Sequence, residues 1–235
     1  MRLSVPIYRL RRRAKLLARR EKIALHEALD RIAREEGFAA WSALSSRMAT
    51  SSSSPRLLPS LAEGDMLLVG ARPGHGKTRL GLRLLLDAAG QGRRSVFFTL
   101  EYAEREVMQL IRSLDDDSLG RSPEIVTSND ISADFIIRHL AGSPRGTVAV
   151  IDYLQVLDQQ RSKPPLSEQM IVLHDFTRRN GFILGFISQI DRSFDPGRNS
   201  LPGIADIRLP NPIPAGIFSK ACFIHGDEAR LQHVA

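Results

Sequence analysis

Residues 66–78 read Met-Leu-Leu-Val-Gly-Ala-Arg-Pro-Gly-His-Gly-Lys-Thr, an apolar run followed by a glycine-rich turn and a Lys-Thr pair. The turn matches the phosphate-binding pattern G-x-x-x-x-G-K-[ST], except that Ala71 stands at the first glycine position. Glycines let the backbone curl so that several N–H groups face one phosphate, and the N-terminal end of the next helix adds positive charge. The pattern predicts a strand over Met66–Gly70, a helix over Lys77–Ala89 and a nucleotide between them; a glycine-rich turn without a ligand is the alternative.

The residues expected to contact this nucleotide lie in the turn and in the first helical residues. Lys77 should reach the β- and γ-phosphates, and the hydroxyl of Thr78 should ligate Mg²⁺. The set expected to bind ATP is Ala71, Arg72, Pro73, Gly74, His75, Gly76, Lys77, Thr78 and Arg79.

Downstream of the turn, short apolar runs alternate with helical stretches. The further predicted strands are Ser95–Leu100, Glu124–Thr127, Thr147–Ile151, Phe182–Gln189 and Ala221–His225, the last of the chain. The predicted helices are Ala103–Leu114, Ile131–Leu140 and Leu166–Arg179. This alternation predicts an α/β fold with a mostly parallel sheet and helices on both faces. Residues 195–216 contain five prolines and three glycines and are predicted to form a long loop.

Three polar side chains stand where predicted strands end. Asp152 follows a buried apolar strand, so its carboxylate could hold Mg²⁺ through water, although a strand-ending turn residue is the alternative. Glu101 could orient or deprotonate a water molecule for hydrolysis, or it could interact with the dipole of the following helix. Gln189 could sense the γ-phosphate and relay its loss to the next loop.

The formal charge of +7 lies entirely in the first fifth of the chain. Residues 1–50 hold 12 Lys and Arg against 5 Asp and Glu, whereas residues 51–235 hold 21 of each kind. Helical apolar spacing over Leu10, Ala14 and Leu17 predicts a helix, and two further short helices should follow. A basic arm of this kind is typical of proteins that bind nucleic acid or another polyanion, and a solvated charge run is the alternative.

The chain has one cysteine, Cys222, which excludes an intrachain disulfide and a cysteine zinc cluster. We expect Cys222 to be buried in its apolar strand and the protein to be cytoplasmic. No apolar run approaches the roughly 20 residues of a membrane span, so no membrane association is expected.

Four segments resemble, in order and spacing, the RecA-like ATPase core of the DnaB family of replicative helicases. They are residues 70–78, Phe98-Thr99-Leu100-Glu101, Ile151-Asp152-Tyr153-Leu154-Gln155 and residues 187–192, with a weaker match at Ala205-Asp206-Ile207-Arg208. The resemblance covers roughly residues 58–226, and that family tolerates alanine at the position of Ala71. On this basis we predict a basic helical module over residues 1–49, a Ser-rich linker over 50–57 and a RecA-like P-loop ATPase domain over 58–235.

The resemblance implies an ATPase of the DNA helicase type that uses ATP and Mg²⁺. Lys77, Glu101 and Gln189 would be catalytic, and Thr78 and Asp152 would hold the metal. The loops after the Asp152 and Gln189 strands would face single-stranded DNA inside a homo-oligomeric ring, a hexamer if the chain is helicase-like. The cations that these loops offer to DNA phosphates are Arg161, Lys163, Arg192, Arg198 and Arg208. Solvated loop charges are the alternative.

The sequence also departs from that family. The helical N-terminal collar, the linker helix and a later strand with a basic finger are not matched, and only Arg230 stands near the finger position. We therefore expect a truncated core behind an unrelated basic module. The alternative function is a nucleotide-dependent switch without unwinding activity, which docks on DNA or a replication partner through the basic arm. A recombinase- or clock-type RecA-like ATPase is a third possibility.

Overall fold

The computed structural model describes residue 4 and residues 7–45, 55–114, 122–158, 163–191, 193–195, 201–208, 211–225 and 228–234. The chain divides into two compact units, with the boundary in sequence between residues 54 and 55. Residues 50–54 of the predicted linker lie outside the described ranges. Among the helices that the structure describes, none has the length and apolar content needed to cross a bilayer.

The N-terminal unit contains helix α1 (Ile7–Glu21), helix α2 (Leu25–Glu35) and a helical turn at residues 41–45. Its small core is formed by side chains with helical spacing, as the sequence predicts. The buried residues are Leu10, Ala14, Ala28, Ile32, Ala33, Trp41 and Leu44. The backbone N–H of Trp41 donates to Asp30 Oδ1 at 2.8 Å, which holds the third helical segment against α2.

The second unit is built on a sheet of seven strands in the order β3-β2-β4-β5-β1-β6-β7. The strands are β1 (Met66–Ala71), β2 (Ser95–Thr99), β3 (Glu124–Thr127), β4 (Val148–Asp152), β5 (Ile183–Gln189), β6 (Lys220–His225) and β7 (Glu228–His233). The pairs β3–β2, β2–β4, β4–β5, β5–β1 and β1–β6 are all parallel. Parallel strands need crossover connections, and α-helices provide those from β1 through to β5.

Within the described ranges, four helices cover the two faces of this sheet: α3 (Lys77–Gly90), α4 (Glu104–Leu114), α5 (Ala133–Leu140) and α6 (Leu166–Asn180). Helices α3 and α4 pack on the face that carries Val69 and Phe97, whereas α5 and α6 pack on the face that carries Leu68 and Phe98. Neighbouring strand residues thus enter opposite cores, and both faces are apolar because both are covered. The predicted α/β architecture is confirmed.

The structure differs from the sequence prediction at the C-terminal edge. Strand β7 follows β6, so the prediction that Ala221–His225 is the last strand was wrong. Strand β7 contains Glu228, Arg230 and Gln232 and is partly exposed. It lies at the edge of the sheet and has a neighbouring strand, β6, on one side only. Such a polar strand gives no strong apolar pattern. In the described part of the predicted long loop there is a 3₁₀ turn at Ile204–Asp206, and Ile207 forms an antiparallel bridge with Ile190.

Candidate nucleotide-binding site

Four neighbouring parallel strands end at the same level of the sheet. Thr99 lies opposite Asp152 and Asp152 lies opposite Ile187, while Ala71 lies opposite Gln189. The carboxyl ends of β2, β4, β5 and β1 therefore form one edge, and the residues that follow each strand meet there. In open α/β sheets, ligands bind at this edge.

The turn between β1 and α3 depends on two glycines. Gly74 and Gly76 have φ angles of +82° and +84°, in the left-handed region that strains other residues. A Cβ atom at either position would meet nothing within 4 Å, so the backbone conformation and not the available space requires glycine. Gly76 is also the N-cap of α3, and the first N–H groups of an α-helix have no partner within the helix. The turn thus presents backbone donors at a positive helix end.

Ala71 fits the position at which the phosphate-binding pattern has its first glycine. It is the last residue of β1, is fully buried and pairs with Gln189 on one side and Ile224 on the other. Its φ is not in the left-handed region. A regular strand residue needs no glycine, so the departure from the pattern leaves the turn intact.

Lys77, Thr78 and Asp152 meet beneath this turn. Their exposed fractions are 7%, 6% and 0%. The Thr78 hydroxyl donates to Asp152 Oδ2 at 2.8 Å, and within the described residues the buried Oδ1 of Asp152 has no hydrogen-bond partner. Burial, the largest cause, raises the pKa of Asp152 to about 6 from 3.8, although the hydrogen bond from Thr78 and the charge of Lys77 lower it.

This arrangement fits a hard cation. Mg²⁺ prefers oxygen ligands and is held in nucleotide sites by one or two carboxylates together with phosphate oxygens. Thr78 and Asp152 supply a hydroxyl and a carboxylate at one place, and the unpartnered Oδ1 of Asp152 has acceptor capacity that a metal or its water shell would use. The chemistry of the two side chains therefore suits a magnesium ion.

Glu101 lies two residues beyond the end of β2 and is exposed. Its backbone N–H donates to Thr99 Oγ1 at 3.1 Å, and its charge contributes to the raised pKa of Asp152, so the two carboxylates share one site. Helix α4 begins only at Glu104, and its first turn already contains Glu104 and Glu106. The dipole of α4 therefore has two acidic residues in its own first turn and does not require Glu101.

The sequence relatives of this chain are distant. No protein-family model matches the chain. The replicative DNA helicase DnaB of Mycoplasma pneumoniae is 24% identical over 188 residues, which covers 62% of this chain and 39% of that protein. The chain thus spans well under half the length of this relative.

Solved structures give a closer match in shape than in sequence. One solved ATPase domain has a TM-score of 0.56 at 14% identity, covering 77% of this chain and 81% of that one. A DnaB-like replicative helicase, described with its interactions with primase, has a TM-score of 0.57 at 15% identity, covering 92% and 66%. The fold is the RecA-like fold of DnaB-type ATPase domains. The fold class and the resemblance stated from the sequence are confirmed at this level.

Gln189 ends β5 of the RecA-like unit and is half-buried. Its carbonyl accepts a hydrogen bond from the backbone N–H of Arg208 at 2.8 Å. Gln155 Nε2 donates to Ser188 Oγ at 3.1 Å and to the Arg208 carbonyl, while Gln155 Oε1 is buried without a partner within the described residues. The end of the Gln189 strand is therefore joined to the segment around Arg208.

Two residues of this site were not selected from the sequence. Tyr102 lies beside Thr78 and is half-buried, and its burial raises the pKa of its hydroxyl. Gln155 makes the link just described. Tyr102 directly follows the quoted segment 98–101, and Gln155 is the last residue of the quoted segment 151–155, so these positions were the sequence signal available for each.

The side chains of the turn itself contact the segment at Phe194 and the end of β6. Arg72 donates to the Phe194 carbonyl, and its guanidinium lies 5.7 Å from the Phe194 ring centroid. The His75 ring stacks on His225 at 5.4 Å, and burial lowers the pKa of His75. The backbone N–H of His75 donates to the Arg72 carbonyl at 3.2 Å within the turn, and Pro73 has no N–H to donate.

The remaining predicted residues fall into three groups. Arg79 is exposed and donates to Ser113 Oγ at 3.2 Å on α4. Lys163 Nζ donates to the carbonyl of Ile131 at 2.7 Å, and Arg208 is exposed. Three predicted DNA-contacting residues lie outside the described part of the chain: Arg161, Arg192 and Arg198.

Proposed function

We propose that the RecA-like unit binds ATP with Mg²⁺ and hydrolyses it, as a helicase-type ATPase that acts on DNA. The observation that carries this proposal is the Thr78–Asp152 pair at 2.8 Å, with its unpartnered buried oxygen under a glycine turn. A buried, ionised carboxylate with an unpartnered oxygen opposes folding of the metal-free chain, and a bound cation would compensate its charge.

Each residue of the site has a defined part in this reaction. The backbone of residues 74–78 and the ammonium of Lys77 bind the phosphates. Thr78 and Asp152 would hold Mg²⁺, which would neutralise negative charge on the phosphates. The exposed carboxylate of Glu101 orients the attacking water and accepts its proton. The Thr78 hydroxyl is positioned by its hydrogen bond to Asp152 Oδ2, and Tyr102 lies beside it.

DNA is the proposed macromolecular partner of the same unit. Arg208 is exposed, and backbone hydrogen bonds join its segment to Gln189 at the end of β5. Loss of the γ-phosphate at Gln189 can therefore be transmitted to a cation that contacts a phosphate of single-stranded DNA. Lys163, with Arg161, Arg192 and Arg198, remains a predicted contact of the neighbouring loops, and a hexameric ring is the proposed assembly.

ATP turnover tests this function. Wild-type protein, Glu101→Gln and Glu104→Gln should be assayed with and without single-stranded DNA. The second variant removes the same charge from an acidic residue of α4, outside the site. Glu101→Gln should reduce kcat by about 100-fold or more and retain ATP binding, while Glu104→Gln should behave as wild type.

Two results would overturn the proposal. If Glu101→Gln turns over at the wild-type rate, Glu101 does not activate the water. If wild-type protein binds ATP tightly without turnover in either condition, the hydrolase is rejected in favour of a nucleotide-dependent switch, for which the link from Gln189 to Arg208 is the supporting observation.

A further inference from the structure

The cations of helix α1 whose side chains the structure describes fall into two sets. Arg13 pairs with Glu35 at 2.7 Å, Arg20 pairs with Glu21 at 3.0 Å, and Arg11 lies over the Trp41 ring. A second set consists of Arg12, Lys15 and Arg19. All three are exposed, and within the described residues none of them has an ion pair or a side-chain hydrogen bond.

We call Arg12, Lys15 and Arg19 the basic face. Their spacing of three and four residues places them on one side of the helix. The opposite side carries Leu10 and Ala14, which are fully buried in the core of the unit. Because the core fixes the rotation of α1, the three cations are held outward together and are not a flexible tail.

This arrangement opposes the stability of the unit. Like charges three and four residues apart repel each other, and the core that must offset this repulsion has only seven buried residues among those that the structure describes. Other arginines of this unit pair with carboxylates: besides Arg13 and Arg20, Arg31 pairs with Glu21 at 2.7 Å. The basic face therefore has the properties of a surface that binds an external polyanion.

We propose that the basic face binds the phosphate backbone of nucleic acid. The first and last of the three are seven residues apart, or about 10 Å along the helix axis. One strand of duplex DNA carries a phosphate about every 3.4 Å along its axis, so the face meets roughly three phosphates. Recognition of this kind is independent of sequence.

A membrane surface is the less favoured partner. A helix that lies in a bilayer interface needs a broad free apolar face. The apolar side of α1 is occupied by its own core, and the large apolar side chain that it leaves exposed among the described residues is Leu16, at 57%. Charge without apolar surface fits a phosphodiester backbone better.

This surface belongs to the N-terminal unit, and its test needs no nucleotide. Binding of full-length protein to a fluorescent 30-mer, single-stranded and duplex, should be measured by anisotropy in EDTA between about 50 and 200 mM salt. The test variant is Arg12→Gln, Lys15→Gln and Arg19→Gln together. The matched control, Arg13→Gln, Arg20→Gln and Arg31→Gln, removes the same net charge from paired positions.

The basic-face variant should weaken duplex binding by more than about tenfold and reduce the salt slope by about 2.7, from about 0.9 for each phosphate contact. The control should change the slope by less than about 1. A charge-conserving variant, Arg12→Lys with Arg19→Lys, should bind as wild type. Trp41 is the single tryptophan and lies in the core of this unit at 9% exposure, so its emission reports whether each variant is folded.

Three outcomes would overturn the inference. Equal losses in the two glutamine variants would show that only net charge matters. Unchanged binding by a folded basic-face variant would remove the face from the interaction. Tighter binding to anionic phospholipid vesicles than to either DNA probe, lost in the same variant, would assign the face to a membrane.

Discussion

Replacing Asp152 with asparagine should separate the stability of the RecA-like unit from its affinity for Mg-ATP. Asp152 is fully buried, and burial raises its pKa from 3.8 to about 6. Because the folded pKa lies above the unfolded value, the ionised carboxylate opposes folding at pH 7 and above. Stability is regained as the pH falls through 6, since the folded chain then binds a proton that the unfolded chain does not yet hold.

The size of this effect follows from the two pKa values. The rise from 3.8 to about 6 is equivalent to about 3 kcal/mol of unfolding free energy at high pH. Proton linkage gives the metal-free wild-type chain about 1.4 kcal/mol more stability at pH 5 than at pH 8 from this carboxylate alone. Asparagine does not titrate. The unfolding free energy of wild type relative to Asp152→Asn should therefore increase by about 1.4 kcal/mol as the pH is lowered from 8 to 5.

The assay is urea unfolding in EDTA from pH 8 to pH 5, followed by far-UV circular dichroism because Trp41 lies in the other unit. The comparison is then repeated at pH 8 with Mg-ATP. At a concentration 100 times the Kd, ligand should stabilise wild type by about 2.7 kcal/mol and leave the variant unchanged. Parallel pH profiles for the two proteins, or equal stabilisation by Mg-ATP, would refute this reasoning.

Two further predictions concern the frame around the site. Asp65 accepts hydrogen bonds from Lys220 at 2.5 Å and Ser219 at 2.7 Å, and the Asp65 and Lys220 side chains are 14% and 10% exposed. Because Asp65→Asn breaks this largely buried pair, it should lower the unfolding free energy by about 3 kcal/mol. The control Glu63→Gln, at an exposed pair, should lower it by less than about 1 kcal/mol. Burial raises the pKa of Asp65, but the hydrogen bonds, led by that from Lys220, lower it overall. The stabilisation by Asp65 is therefore present above the ordinary carboxyl pKa of 3.8 and is lost as the pH falls below that value. If the difference in stability between wild type and Asp65→Asn persists in full below pH 3, this reasoning is contradicted. Cys222 is fully buried and burial raises its pKa to about 12, so a thiol reagent at pH 8 should label it only on unfolding, and rapid labelling of the native chain would show that β6 is exposed.

Local chemistry made much of this fold predictable. The segment from β1 through the turn to α3 combines a buried apolar strand with glycines that adopt positive φ at residues 74 and 76, and both properties are visible in the sequence. Strands β2, β4 and β5 were predicted to within two residues for the same reason, because buried parallel strands are continuous apolar runs. Strand β7 was not predicted, because an exposed edge strand carries polar residues.

The contacts of the site were less accessible to sequence reasoning. Thr78 and Asp152 are 74 residues apart, and their hydrogen bond exists only because the sheet places β4 two strands from β1. Nothing in the sequence distinguishes Tyr102 and Gln155 from other tyrosines and glutamines. Their place in the site is seen only from the residues beside them in the fold, Thr78 and Ser188. Long-range register, and not local propensity, creates these contacts.

The most direct test of the central claim is calorimetric titration of a non-hydrolysable ATP analogue into wild-type protein and Lys77→Ala, each with Mg²⁺ and with EDTA. The account predicts saturable binding at one site for each RecA-like unit, weakened by EDTA and abolished in a Lys77→Ala variant that melts as wild type. Binding of equal affinity in the two proteins, or no heat of binding in the wild type, would show that the turn at residues 71–78 does not hold a nucleotide.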